Sequence, residues 1–201
     1  MEKIPLNLDT AKELLFSKMQ NQNLRRHCIG VGKTLSEFYD FYNSEGRKNE
    51  MGNLSKEEWE IIGLLHDSDY EITKDDFTKH VVTLIEWLKD YEVKEEMLNA
   101  LKTHNSKAVG LREPQTLLEW TLECCDELTG FIVAVALILP SKKLSDVTKD
   151  SVIKKFGQPA FARAVDRSQI NQCEEKCKVS TDKFVEVTLK AMQNNSELLG
   201  L

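Results

Sequence analysis

The segment that most constrains the fold is the apolar stretch 61–65, which runs directly into His66 and Asp67. Four of its five residues have branched aliphatic side chains, so we expect it to be a buried helix that carries the histidine and the aspartate inward. An unpaired carboxylate in the interior would be costly, and a cation is therefore expected to meet it. Successive helical residues diverge by about 100°, so both side chains can reach one site only where the helix ends. Ser68 and Asp69 supply such an end.

The chain has four histidines, and each lies in or beside a segment with the apolar periodicity of a helix. His27 is expected on the core side of its helix, because Val31, four residues later, belongs to the apolar stripe. His80 is expected at the edge of the apolar face of a helix spanning about residues 77–88. His104 is expected at the end of a short helix, where a side chain can face a cleft. A lone histidine of this kind is usually a satisfied core residue. The order of the four histidines resembles that of a protein family named below, and this resemblance reverses the preference.

Asp126 lies in the most apolar helical region of the chain, on the same helical face as Leu122 and Val133. Thr116 and Glu119 form the sequence pattern of a capping box at the start of this helix. A buried aspartate is satisfied by an arginine, by backbone amides or by a metal ion. Given the histidine series, we favour the metal ion.

The pattern predicts an all-α fold, since no segment keeps a period of two residues. The length of 201 residues and the apolar content of 41% fit a single domain, residues 1–201. Within it, a metal-site core of about residues 21–140 is expected to carry C-terminal helices, about residues 145–195, packed against it. A first helix is expected to be capped by Asp9 or Thr10. Helices are expected at about residues 11–19, 21–42, 56–65, 77–88, 97–101, 117–139, 147–156, 159–166 continued by 168–178, and 181–192.

Composition restricts the possible partners. The net charge of -6 argues against a nucleic-acid or anionic-membrane surface, because both need a basic face. No apolar run approaches the length of about 18 residues that a membrane span requires, so we expect a cytoplasmic protein. The five cysteines suit a reducing compartment. They are expected to be buried thiols, with a structural zinc site that includes Cys173 and Cys177 as the alternative.

The order of histidines and aspartates resembles the HD superfamily of metal-dependent phosphohydrolases, specifically its two-metal branch, which implies an HD-domain helical bundle. The resemblance implies one or two divalent transition-metal ions, with manganese, iron, zinc, cobalt and nickel as candidates. It also implies that a hydroxide held between two ions attacks phosphorus in line. By this resemblance the first ion is held by His27, His66, Asp67 and Asp126, and the second by His80, His104 and a bridging Asp67.

Further segments are similar to a small group of bacterial-type HD hydrolases whose substrates are not defined. By this resemblance Asp69 and Glu71 either orient metal-bound waters or cap the loop. The positively charged candidates are expected either to face a phosphate or to be solvated surface charges. These candidates are Lys142, Lys155, Arg163 and Arg167. The similar segments are residues 66–71, 126–130, 134–137, 140–142, 154–156 and 161–167.

The sequence also restricts the substrate. His104 is followed by Asn-Ser-Lys and not by the Gly-Tyr-Pro signature of cyclic-dinucleotide HD enzymes. We therefore expect a small phosphomonoester or a nucleotide as the phosphorylated substrate. Two alternatives remain open, namely a di-iron HD-type oxygenase and a metal-stabilised, non-catalytic sensor or binding module. The oligomeric state is not predicted.

Overall fold

The computed structural model describes residues 2–105 and 110–201. In this part of the chain the fold is all-α, as predicted, apart from a parallel pairing of two short strands, β1 (Ile4–Pro5) and β2 (Tyr91–Glu92). Short 3-10 helices lie at Lys48–Glu50, Leu88–Asp90 and Leu144–Asp146. The α-helices are α1 (Leu8–Lys18), α2 (Gln22–Ser44), α3 (Lys56–Leu65), α4 (Tyr70–Thr73), α5 (Val82–Trp87), α6 (Glu95–Thr103), α7 (Leu117–Ile138), α8 (Lys149–Phe156), α9 (Arg167–Lys176), α10 (Thr181–Asn194) and α11 (Ser196–Leu199).

Two helix starts follow from local side-chain chemistry. Ser55 caps α3, since its hydroxyl accepts a hydrogen bond from the Glu58 amide and the Glu58 carboxylate accepts one from the Ser55 amide. Thr116 and Glu119 make the same reciprocal pair at the start of α7. Both helices bear residues of the candidate site, and each cap contributes about 1 kcal/mol to stability.

The predicted cap of the first helix is wrong. Asn7 caps α1, because its side-chain oxygen accepts hydrogen bonds from the amides of both Asp9 and Thr10. The helix expected over residues 77–88 is shorter, since α5 begins only at Val82. Val81 has a φ of 67°, a left-handed conformation that a β-branched residue rarely adopts and that interrupts a right-handed helix.

The segment 159–166 was expected to be helical and is not. Asp166 instead caps α9, with its carboxylate accepting hydrogen bonds from the amides of Ser168 and Gln169. A capping residue stands outside the helix, so the chain before it turns away. Ala162 within this segment has a φ of 44°, which is again incompatible with a continuous helix.

Helices α2 and α3 cross with their backbones in contact at Gly32 and Gly63. A Cβ atom added to Gly63 would lie 2.7 Å from the Cα atom of Gly32, and one added to Gly32 would lie 2.8 Å from the carbonyl oxygen of Glu60. Neither position has room for a side chain. This close approach brings His27 of α2 and His66 at the end of α3 together, with 5.2 Å between ring centroids.

Helices α7 and α10 also pack against α2. Phe38 of α2 and Phe184 of α10 are fully buried, with ring centroids 4.3 Å apart. The Tyr42 hydroxyl and Thr121 Oγ1 are hydrogen-bonded at 3.0 Å and join α2 to α7. These contacts hold α7, and with it Asp126, against α2.

The cysteines are buried thiols, as expected, and the length and hydropathy of the helices bear on membrane crossing. All five cysteines are buried free thiols, and none of them belongs to a candidate metal group in the part of the chain that the structure describes. Within residues 2–105 and 110–201, no helix combines the length and the apolar character needed to cross a membrane.

Candidate metal centre

The fold brings together the six side chains that the sequence assigned to metal ions. They come from different helices and from the segments that follow or precede them. They are His27 in α2, His66 at the end of α3, Asp67 directly after it, His80 before α5, His104 at the end of α6, and Asp126 in α7.

Asp67 lies at the centre of the cluster, and its two carboxylate oxygens face different histidines. Oδ1 is 2.9 Å from His104 Nε2 and 3.2 Å from His80 Nε2. Oδ2 is 3.8 Å from both His27 Nε2 and His66 Nε2. A carboxylate turned to two sets of ligands in this way is suited to bridge two ions.

Asp126 completes the half of the cluster that contains His27 and His66. Its Oδ1 atom is 2.8 Å from His27 Nε2 and 3.3 Å from His66 Nε2. Ligand atoms roughly 3 Å apart are expected when each lies about 2.0–2.2 Å from one shared ion. The spacing of these atoms therefore fits a metal ion.

The candidate ligands form two sets, and within each set the ligand atoms lie within 4.8 Å of one another. One set is His27, His66 and Asp126, and the other is His66, Asp67 and His104. The first set agrees with the ligands proposed for the first ion. The second set contains His66, whereas the sequence assigned His80 to that position. His80 nevertheless directs Nε2 at the same oxygen of Asp67 that His104 contacts.

The orientation of His66 is fixed by its own helix. Its Nδ1 atom donates a hydrogen bond to the carbonyl oxygen of Gly63 over 2.7 Å. Because a carbonyl only accepts, the proton of a neutral His66 lies on Nδ1, and the lone pair lies on Nε2. Nε2 is buried and has no hydrogen-bond partner among residues 2–105 and 110–201. A buried nitrogen lone pair in this position is what a cation would satisfy.

His80 is oriented by a side chain. Its Nδ1 atom donates to Asp69 Oδ1 at 2.7 Å, and Asp69 Oδ2 accepts the amide of Leu84 at 3.1 Å. Asp69 is fully buried. It therefore positions His80 and also accepts a hydrogen bond from the first turn of α5.

The charges of the cluster shift the pKa values of its members. Burial lowers the pKa of His66, but Asp67 and Asp126 outweigh it and raise that pKa to about 8. Burial also opposes the shift at His80, whose pKa is raised to about 9 by Asp67 and Asp69. Although burial favours the neutral acid, the surrounding histidines hold the pKa values of Asp67 and Asp126 well below the usual range. Without metal, protonated histidines neutralise the charge of the two carboxylates. Metal binding would release these protons from the histidines.

Three other residues named from the sequence are engaged by other groups or exposed. Glu71 accepts hydrogen bonds from the amides of Gln20 and Asn21, at 2.5 and 3.0 Å, and so caps the turn between α1 and α2. Arg167 donates to the carbonyl oxygens of Phe156 and other residues of the 156–162 turn, and its guanidinium lies 5.0 Å from the ring centroid of Phe131. Arg163 is exposed.

The two lysines named from the sequence differ in their surroundings. Lys155 donates to Gln158 Oε1 at 3.2 Å, and its Nζ atom lies 5.2 Å from the ring centroid of Phe161. Its side chain therefore contacts the same 156–162 turn that Arg167 contacts. Lys142 instead lines a cavity of about 510 Å³ that also has His27 in its wall. Lys142 thus shares the wall of a cavity with one candidate ligand.

Glu123 is a site residue that the sequence analysis missed. It lies one turn before Asp126 on α7, and its Oε1 atom is 3.9 Å from His104 Nδ1. Its Oε2 atom accepts a hydrogen bond from Gln169 Nε2 at 3.2 Å, which ties it to α9. The spacing of three residues from Asp126 was a signal for it, because residues three apart share a helical face.

Comparison with known proteins gives one match. The model of the HD domain family matches residues 24–130, just over half of the 201 residues, and all six candidate ligands lie inside the matched range. A search of curated proteins finds no match, and a search of solved structures finds none either.

Proposed function

Because the chain belongs to the HD domain family, most members of which are metal-dependent phosphohydrolases, we propose that it hydrolyses a small phosphomonoester or nucleotide. The single observation that carries the proposal is the position of Asp67. Its two oxygens face separate histidines, His104 and His80 on one side and His27 and His66 on the other.

The donor set supports one or two divalent transition-metal ions. Imidazole nitrogens together with carboxylate oxygens suit manganese, iron, zinc, cobalt and nickel better than magnesium alone, which prefers oxygen ligands. When bound, such ions act as Lewis acids and supply a nucleophile at neutral pH. His27, His66, Asp67 and Asp126 would hold one ion, and Asp67 with His80 and His104 would hold the other.

The residues of the chain prepare the site in two ways. The Gly63 carbonyl and the Asp69 carboxylate hold His66 and His80 with Nε2 directed at the carboxylates, so little reorganisation is needed on binding. The exposed cation Lys142 lines the cavity beside His27, where its charge favours an anionic ester.

The test begins with protein purified without chelator and without nickel affinity, followed by elemental analysis and a phosphate-release assay on phosphomonoesters and nucleotides. We expect the wild type to contain a transition metal and to release phosphate. Asp67→Asn, which keeps the shape but removes the charge, should lower phosphate release by about 100-fold or more and reduce bound metal. Glu71→Gln is the matched control, because the Glu71 carboxylate is engaged by the backbone amides of Gln20 and Asn21.

Three outcomes would overturn the proposal. Oxygen consumption with an iron-loaded protein and no phosphate release would establish the oxygenase alternative. Stoichiometric metal with no release from any substrate and no oxygen uptake would establish a metal-stabilised binding module. Full activity in Asp67→Asn would show that the carboxylate is not part of the reaction.

A further inference from the structure

The cavity beside His27 is lined by the same faces of α2 and α7 that bear candidate metal ligands. On α7, Gly130 and Val133 follow Asp126 by four and seven residues, and both line the cavity. On α2, Gly30 follows His27 by three residues and lines it as well. Because residues three and four apart share a helical face, the cavity begins where the metal cluster ends. Its volume of about 510 Å³ lies in the range of small-molecule sites.

The walls of the cavity are mostly apolar, with positive charge from two side chains. Val133 and Leu137 of α7 face Met192 and Leu199. Leu137 is 50% exposed, so this part of the apolar wall is open to solvent. Cationic side chains, Arg26 and Lys142, also line the cavity. An apolar organic group attached to an anion matches this combination of surfaces.

Gly130 keeps the cavity open next to Asp126. A glycine in the interior of a helix is unfavourable relative to alanine, because it increases the freedom of the unfolded chain. Packing does not explain its presence, since a Cβ atom added at this position meets no other heavy atom of the described residues within 4 Å. The space that a side chain would fill here is the space of the cavity.

This inference rests on the proposed phosphohydrolase function. We infer that the cavity binds the organic group of the ester and that Gly130 is a specificity-determining residue, so that the preferred substrates are phosphomonoesters with an apolar group at least as large as a ring. The phosphate would then face the cluster of His27, Asp67 and Asp126, and the organic group would lie along α7.

The test compares 2-(1-naphthyl)ethyl phosphate with ethyl phosphate, because both release a primary alcohol and differ mainly in apolar bulk. The wild type should prefer the naphthyl ester by about 10-fold or more in kcat/KM. Gly130→Leu should reduce that preference by about 10-fold or more, and Gly130→Ala should reduce it by less. Ile138→Phe is the control, since Ile138 is a 53% exposed residue of α7 outside the cavity and its added bulk should leave the preference unchanged.

A binding measurement separates this inference from the proposed function. The probe is 1-naphthylmethylphosphonate, which cannot be hydrolysed and whose fluorescence reports binding. Gly130→Leu should raise its Kd by about 10-fold or more, with bound metal and Tm checked in the same samples. Absence of hydrolysis with a raised Kd would contradict only the phosphohydrolase function. Equal preference for the two esters, or an unchanged Kd in Gly130→Leu, would overturn the inference about the cavity.

Discussion

His80 donates a hydrogen bond from Nδ1 to Oδ1 of the fully buried Asp69, 2.7 Å away, while its Nε2 atom lies 3.2 Å from Asp67. The His80 ring thus lies between two carboxylates. Asp69 fixes its orientation, and Asp67 would bind an ion together with it. The arrangement makes Asp69 a positioning residue for a ligand, and it can be tested without an activity assay.

We expect Asp69→Asn to weaken metal binding without abolishing it. The amide keeps the shape of the side chain but loses the charge that raises the basicity of His80, and changes of this kind cost about 10–100-fold in metal affinity. Competition with a fluorescent zinc indicator measures the effect, which should fall on the more weakly bound ion. Asp75→Asn, the same change at an exposed position, is the control. Equal affinities in the two variants would contradict the role of Asp69.

Removing metal should lower the Tm. A ligand that binds only the native state stabilises it by about 2.7 kcal/mol at a concentration 100 times its Kd. Thermal unfolding of the wild type with and without chelator, with metal content verified, measures this difference. Asp67→Asn should show a smaller shift on chelation, because it lacks the carboxylate whose two oxygens face both pairs of histidines. A wild-type Tm that is unchanged after verified metal loss would rule out a buried site.

The metal-free protein should lose stability as the pH rises from about 6.5 to 9. The pKa values of His66 and His80 are raised to about 8 and about 9 in the folded chain, whereas both are about 6.5 in an unfolded chain. The stabilisation is therefore fully present below about pH 6.5 and is lost as the pH passes through the two folded values. The pKa values of Asp67 and Asp126 are lowered, so both carboxylates remain ionised throughout this window.

The pH prediction is checked by recording Tm against pH at constant ionic strength for metal-free and metal-loaded protein. The two curves should separate as the pH rises, because metal-bound imidazoles are already neutral and other titrating groups affect both samples alike. Parallel curves would show that the histidines are not charged in the metal-free fold.

Gly63→Ala should destabilise the fold by about 1–3 kcal/mol, as expected for overpacking. The new Cβ atom would lie 2.7 Å from the backbone of Gly32, and the helices must separate to admit it. Since α2 carries His27 and α3 ends at His66, metal affinity should fall together with Tm. Gly130→Ala is the control, because its Cβ has space and should stabilise α7 by about 0.5–1 kcal/mol. A stabilised Gly63→Ala protein would contradict the close contact of the helices.

Local chemistry made much of the fold predictable. The capping pair Thr116 with Glu119 is separated by three residues, so the sequence alone identifies it, and the structure confirms it. Ser55 and Glu58 have the same spacing and make the same reciprocal pair. The convergence of the histidines could be expected only through the resemblance to HD proteins, because periodicity gives the face of a helix but not its neighbour.

The parts that the sequence did not predict depend on contacts between distant residues. The helix over residues 77–88 was predicted too long. The turn at Val81 accompanies the contact of Asp69 with both His80 and Leu84, and no local pattern encodes that contact. Arg167 was a candidate for phosphate binding, yet its guanidinium is taken up by backbone carbonyls, whose positions depend on the non-helical turn before α9. The cavity beside Gly130 depends on how α2 and α7 pack against each other, which no local pattern encodes.

The different anchors of His66 and His80 have a consequence for how the site tolerates genetic change. His66 is held by the main-chain carbonyl of residue 63, and every amino acid provides that atom, so no single codon change can delete the anchor itself. His80 is held by a carboxylate side chain, which one missense mutation at position 69 removes. Random mutagenesis should therefore degrade the His80 half of the centre more readily than the His66 half, and partly active variants should lose the ion next to His80 first.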